Sequence, residues 1–164
     1  MENLRLRLPD GIRSFALFQV CLLSAFLGFV YADRVTVEMV FKPLEAIEEI
    51  WIFHHVFFQV LATVVFACIG LAYWLGGGSW KFSLAGFVES MIFMHSGVED
   101  YLYYILFGER VPRLLTWLSW NGYLTKTSQL ANLFPVTSQG LELGVALSIL
   151  SVGVMWGILL RRTH

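Results

Sequence analysis

Residues 82–107 read FSLAGFVESMIFMHSGVEDYLYYILF. A membrane-spanning helix needs about 20 mostly apolar residues, and this stretch has the length and the apolar frame. It also carries Glu89, His95, Glu99 and Asp100. A charged residue at the bilayer centre costs about 2.5–3.5 kcal/mol on insertion scales. Three acids and a histidine in one span must therefore be paired, protonated or wetted, and such residues turn toward the interior of a helix assembly. The apolar frame sets the fold class, and its polar contents set the candidate site.

The rest of the chain agrees with a membrane protein. Of 164 residues, 57% are hydrophobic, 16% aromatic and 14% charged, where an ordinary soluble domain has roughly a quarter charged. Mean hydropathy is +0.68. A fold of this size cannot hide so much apolar surface from water. Disordered chains are poor in aromatics and rich in charge. Eleven Lys and Arg against 12 Asp and Glu, with no basic cluster, argue against nucleic-acid binding. Two cysteines cannot supply a disulfide scaffold. Stretches 14–32, 50–75 and 141–160 also qualify as spans and are too continuous for barrel strands, which alternate over short segments. The expectation is an all-α integral membrane four-helix bundle, one transmembrane domain over residues 1–164.

Gly76, Gly77 and Gly78 break the chain between the second and third spans, which predicts a tight antiparallel hairpin. Arg5, Arg7 and Arg13 precede the first span, and Val30 and Ala32 stand at signal-cleavage spacing. The apolar core exceeds the 7–15 residues usual for a signal peptide, so the span is read as retained. Four spans make the protein multi-pass with both termini on one side. That side carries six Lys and Arg against five on the other, a thin majority for cytoplasmic termini. Residues 33–49 hold a short alternating stretch (Val35, Val37, Met39) and an acidic run, with Pro43 near the start of the second helix, where its missing donor does no harm.

Residues 109–140 are too long for a simple loop. Val111, Leu114, Leu115 and Leu118 would share one helical face, and Trp117, Trp120 and Tyr123 suit the membrane–water boundary. This predicts an interfacial amphipathic helix between the third and fourth spans, with an aromatic-anchored loop as the alternative. Small residues at helical spacing let helices approach closely. They occur at Cys21, Ala25, Gly28 and Ala32 and at Gly140, Gly144, Ser148, Ser151, Gly153 and Gly157. Packing inside the bundle is the expected use of Gly153 and Gly157, with a homo-oligomer or a larger membrane complex as the alternative. Cys21 and Cys68 would differ in depth by roughly 10 Å, too far for a disulfide.

At about 100° per residue, Glu89, His95, Ser96, Glu99, Asp100 and Tyr103 fall on one arc of about 140°. Phe87, Met91, Met94, Val98 and Ile105 fall opposite and suit lipid. On the second span Glu48, His55 and Gln59 share a stripe, with Ala62 and Thr63 nearby. His54 is about 100° away from His55, so His55 is read as the inward histidine and His54 as facing the headgroups. In a tight hairpin, residues at equal depth have numbers that total roughly 155. His55 then lies opposite Asp100 and Gln59 opposite Ser96, with Glu99 near His55 and Glu89 deeper.

Three chemistries suit such a cluster. A metal site would take His55, His95, Glu99 and Asp100 as ligands to a divalent ion such as zinc or iron, because facing helices of a bundle build such centres. Acid–base chemistry would use Glu99 or Asp100 as the acid and His55 or His95 as the relay. A carboxyl group kept from water can protonate a double bond or a leaving group, and a substrate reaching it there is lipophilic, a lipid or an isoprenoid. Haem ligation by His55 and His95 fits less well, since their depths differ by roughly 7 Å. A purely structural network is the competing reading, as a noncatalytic subunit of a membrane complex or a proton-relay or channel-like component. Interhelical polar contacts in membranes average about 0.6 kcal/mol, a small return on the insertion cost of so many acids.

The stretch Gly97-Val98-Glu99-Asp100-Tyr101-Leu102-Tyr103-Tyr104 resembles the paired-acid-then-aromatics motif of the membrane-bound lycopene cyclase domains of carotenoid synthesis. That family usually has proline where Gly97 stands and glutamate where Asp100 stands. The resemblance covers about a dozen residues and implies Glu99 and Asp100 acting as acids on an isoprenoid substrate.

Overall fold

The computed structural model describes residues 10–41, 48–115, 118, 121–133 and 135–161. Among these the chain forms six α-helices: α1 (Asp10–Thr36), α2 (Glu48–Leu75), α3 (Trp80–His95), α4 (Val98–Leu106), α5 (Gly122–Leu130) and α6 (Ser138–Arg161). A π-helical turn at Val37–Phe41 continues α1. Among the described residues three stretches are helical, long and apolar enough to cross a membrane: Gly11–Val40, Phe53–Leu75 and Ser138–Arg161. They contain most of the first, second and fourth expected spans.

α1 runs past the expected end at Ala32. The alternation of Val35, Val37 and Met39 does not produce extended backbone. Arg34 Nη2 pairs with Glu38 Oε1 at 3.0 Å, one helical turn on, and Thr36 Oγ1 donates to the Ala32 carbonyl at 2.9 Å. Pro43 and the start of the acidic run lie outside the described residues. The extension carries Asp33 and Arg34 on a helix rather than in a loop.

The third expected span is divided. α3 has 16 residues and α4 nine, separated by Ser96 and Gly97. Gly97 has φ +83°, and a Cβ there would stand 2.5 Å from Leu141 Cδ1 and 2.9 Å from Leu124 Cδ1. Both the left-handed backbone and the close packing require glycine. The break frees backbone groups that water cannot satisfy inside a membrane. Asn121 Nδ2 donates to the His95 carbonyl at 2.9 Å. The Asn121 Oδ1 accepts from the N–H groups of Tyr123 and Leu124, capping α5. One side chain thus serves the end of α3 and the start of α5.

The helix expected at residues 111–118 is not formed by the described residues of that stretch. Val111–Leu115 is non-helical, and Leu114 makes an isolated antiparallel bridge with Thr137. Leu115 and Leu118 are buried with Leu124, Val136 and Leu141, so they serve the core instead of a membrane surface. Trp117 and Trp120 lie outside the described residues. The short helix of this region is α5, further along the chain.

α2 and α3 form the antiparallel hairpin predicted from the glycines, and α1 packs along both. Ser83 Oγ donates to the Gly70 carbonyl at 2.6 Å, and Thr63 Oγ1 reaches Met91 Sδ at 3.7 Å. Both pairs fall within two residues of the expected register. α6 packs on α3, α4 and α5. Gly140, Gly144 and Ser148 are buried there, and a Cβ on Gly144 would stand 2.5 Å from Leu124 Cδ2. Gly153 and Gly157 are different: they are exposed and a Cβ on either would touch nothing. Their expected use inside the assembly is overturned. Cys21 and Cys68 are exposed free thiols.

Candidate functional site

The central contact of the polar cluster joins α1 to α2. His54 Nε2 and Asp33 Oδ1 are 2.8 Å apart, with side-chain exposures of 10% and 23%. The His54 ring packs on Phe58, centroids 4.3 Å apart. A histidine hydrogen-bonded to a carboxylate through one ring nitrogen has its ring orientation and proton position set by that partner. This corrects the choice of His55 as the inward histidine. α2 lies in two seams. His54, Phe58 and Phe66 turn toward α1, where the Phe29 ring meets Phe58 at 6.1 Å and Phe66 at 5.7 Å. Thr63 and Gly70 turn toward α3. A stripe chosen for a single neighbour finds one seam only. The missed signal was the spacing His54, Phe58, Ala62, Phe66, four residues apart throughout, with Asp33 one residue past the expected end of α1.

His55 is half-buried. The Gln59 Nε2 donates to its Nε2 at 2.8 Å, and it lies within electrostatic range of Asp33, His54 and His95. His95 ends α3 with an exposed side chain whose Nδ1 donates to the Met91 carbonyl at 2.9 Å. Ser96 is 2% exposed, and its Oγ has no hydrogen-bond partner among the described residues. Glu48 begins α2, and its side chain lies outside the described ones.

Glu99 and Asp100 open the first turn of α4, where carboxylates suit the N-terminal end of the helix dipole. Both are partly buried and both interact electrostatically with Asp33. The break at Gly97 changes their neighbours. α4 packs on α1 and α6, and α2 is not among its principal contacts. The expected pairing of His55 with Asp100 across the α2–α3 hairpin is not among the contacts seen for the described residues; the charged neighbour of Asp100 is Asp33. Asp33 of α1 is bonded to His54 and interacts electrostatically with the two acids of α4.

The next residue of α1 binds in another direction. Arg34 Nη1 pairs with Glu109 Oε1 at 2.6 Å, and its guanidinium lies 5.1 Å from the ring centroids of Tyr103 and Phe107. Tyr103 thus lines the α1–α4 contact rather than an α2–α3 site. The lipid-facing assignment also changes. Met94 and Val98 are buried core residues and Met91 meets Thr63, while Ile105 is exposed as expected. Glu89 leaves the cluster altogether: its Oε2 accepts from Trp156 Nε1 of α6 at 2.8 Å. One arc for all six polar residues required an unbroken helix.

Among the described residues no three His, Cys, Asp or Glu side chains are placed to hold one metal ion. The proposed ligand set of His55, His95, Glu99 and Asp100 is not such a group, and His95 is bonded back onto its own helix. What the residues can do is hold and move a proton. A bonded histidine–carboxylate pair stands beside two further carboxyl groups.

Among the described residues the fold is all-helical, with three helices long and apolar enough to cross a membrane and a histidine–aspartate pair where two of them meet. Comparison of the chain with protein-family models, with curated proteins and with solved structures gave no match.

Proposed function

We propose that the chain is a four-span membrane enzyme that performs acid–base chemistry on a lipophilic substrate at the Asp33 end of α1. The third crossing is α3 and α4 together, a broken helix whose irregular backbone is tolerated because protein surrounds it. The region around α5 is the boundary segment between the third and fourth crossings. Both termini are cytoplasmic, on the six-to-five majority of basic residues. In this reading Glu99 or Asp100 delivers a proton to a double bond or leaving group. His54, oriented by Asp33, takes up or returns the proton.

The observation that carries the reading is the 2.8 Å His54–Asp33 contact beside the two acids of α4. A helix pairing device needs one hydrogen bond, and its average worth is about 0.6 kcal/mol in membranes. Three carboxyl groups within electrostatic range of one another, one of them bonded to a histidine, are far more than pairing requires. A second reading, a noncatalytic subunit of a membrane complex, is favoured by one feature: Gly153 and Gly157 leave an open small-residue face on α6.

The test uses the full chain in lipid nanodiscs containing a long-chain polyisoprenoid, incubated in deuterated water and followed by lipid mass spectrometry. The enzyme reading expects new lipid species or deuterium on carbon with the wild-type chain and none with Glu99→Gln or His54→Gln. No conversion by the wild-type chain, or equal conversion by the variants, sinks it.

A further inference from the structure

Glu89 lies away from the Asp33–His54 site, in the seam between α1, α3 and α6. The rings of Phe15 and Phe82 meet at 5.3 Å, and those of Phe26 and Phe93 at 6.0 Å. α1 and α3 therefore run side by side in the same direction, and between those two contacts Gly86 packs against Phe18 and Leu22. Along the chain Gln19 falls between Phe15 and Phe26, and Glu89 between Phe82 and Phe93. Trp156 closes the seam from α6, its ring 5.3 Å from Phe15 and 5.7 Å from Phe82. Its indole Nε1 donates to Glu89 Oε2 at 2.8 Å. Gln19 Nε2 is buried without a hydrogen-bond partner among the described residues. The seam thus holds a carboxyl group and its engaged donor, and one helical turn along α1 from Phe15 stands a buried, idle donor.

Among the described residues no cation enters the seam. Arg13, Lys81 and Arg161 are exposed at helix ends. Asp33, Arg34, His54, His55, His95 and Glu142 lie toward the other ends of their helices; the titratable groups between are Cys21, Cys68 and Tyr31, all exposed, and Tyr73, stacked on Phe18 at 4.3 Å. None of the groups between supplies a positive charge. A carboxylate in such surroundings either takes up a proton or is held by donors, and an indole N–H can only donate. An ionisable group inside a membrane span marks a functional site by default.

We propose that Glu89 binds and releases a proton within the membrane, with Trp156 and Gln19 as the donors that receive its charged form and the flanking rings excluding bulk water. The proposal rests on the membrane-spanning part of the reading above and not on the chemistry at Asp33 and His54.

The experiment treats the full chain in nanodiscs with dicyclohexylcarbodiimide at a series of pH values and locates adducts by peptide mass spectrometry. The O–H of a protonated carboxyl adds across a C=N bond of the reagent to give an O-acylisourea, which rearranges to a stable N-acylurea. Nothing leaves and no oxidation occurs. The expected result is an adduct on Glu89 that declines as pH rises and is lost in Glu89→Gln, whose amide oxygen still accepts from Trp156. Gln19→Leu removes a donor to the charged form, so its decline moves to higher pH. Asp33→Asn leaves the labelling of Glu89 unchanged, which separates this site from the first. Absence of the adduct in the folded chain, a pH-independent adduct, no shift with Gln19→Leu, or loss of labelling with Asp33→Asn would each overturn the proposal.

Discussion

The hairpin end of α2 and α3 and the Asp33 end of the same molecule follow different rules. At the hairpin end two regular helices run antiparallel from Gly76–Ser79, and small side chains hold them close. Ser83 bonds to Gly70 and Thr63 meets Met91, in the register that 1.5 Å per residue requires. At the Asp33 end the helix expected over residues 82–107 breaks at Gly97 and α4 packs on α1 and α6. The polar groups there are sorted by tertiary neighbours instead of by helical periodicity. Regular apolar helices obey their period, and a polar site is assembled where a helix departs from it.

The largest effect should come from restoring the period where it fails. Gly97→Val meets the left-handed backbone, worth about 1–2 kcal/mol, and drives its side chain into Leu141 and Leu124, where overpacking costs about 1–3 kcal/mol. Unfolding in detergent, followed by circular dichroism, should show loss of the folded state at ordinary temperature. Unchanged stability would mean that the break is not held by this packing. His54→Gln comes next. It disturbs a bond to a charged group, for which about 1.5–3 kcal/mol is typical, and the unfolding midpoint should fall with Asp33→Asn adding little more. Additive losses in that double-mutant cycle would contradict a direct pair.

Asn121→Ala removes the α5 cap, worth about 0.5–2 kcal/mol, and leaves the His95 carbonyl without its donor. Amide hydrogen exchange should rise at the start of α5 and at Ser96–Gly97 together. A rise confined to α5 would separate the two ends that Asn121 joins. Ser83→Ala, at the regular end, should cost the least, about 0.6 kcal/mol on the average for interhelical hydrogen bonds in membranes. A large loss there would show that the hairpin depends on a single polar contact rather than on its packed length.

The helical class, three of the expected spans and the hairpin register were legible in composition and glycine placement, because these follow from local chain properties. The inward histidine was not. His54 and His55 both lie on buried sides of α2, and the choice between them depends on Asp33 of α1, a contact of 21 residues' separation. Asp33 itself was hidden because charge signals the end of an apolar run, whereas α1 carries its charges onward to Thr36. Glu99 and Asp100 were legible as acids within an apolar stretch. Their partner was not, since Gly97 reads as an ordinary small residue until its φ is known.

The central claim is that the carboxyl groups beside His54 and Asp33 serve chemistry rather than helix pairing. Glu99→Gln tests it most directly, because the change keeps side-chain volume and removes only the proton-donating group. Unfolding midpoint and lipid conversion are measured on the same nanodisc preparation. Conversion lost with the midpoint unchanged is the predicted result. A midpoint that falls while conversion per folded molecule stays the same would contradict it.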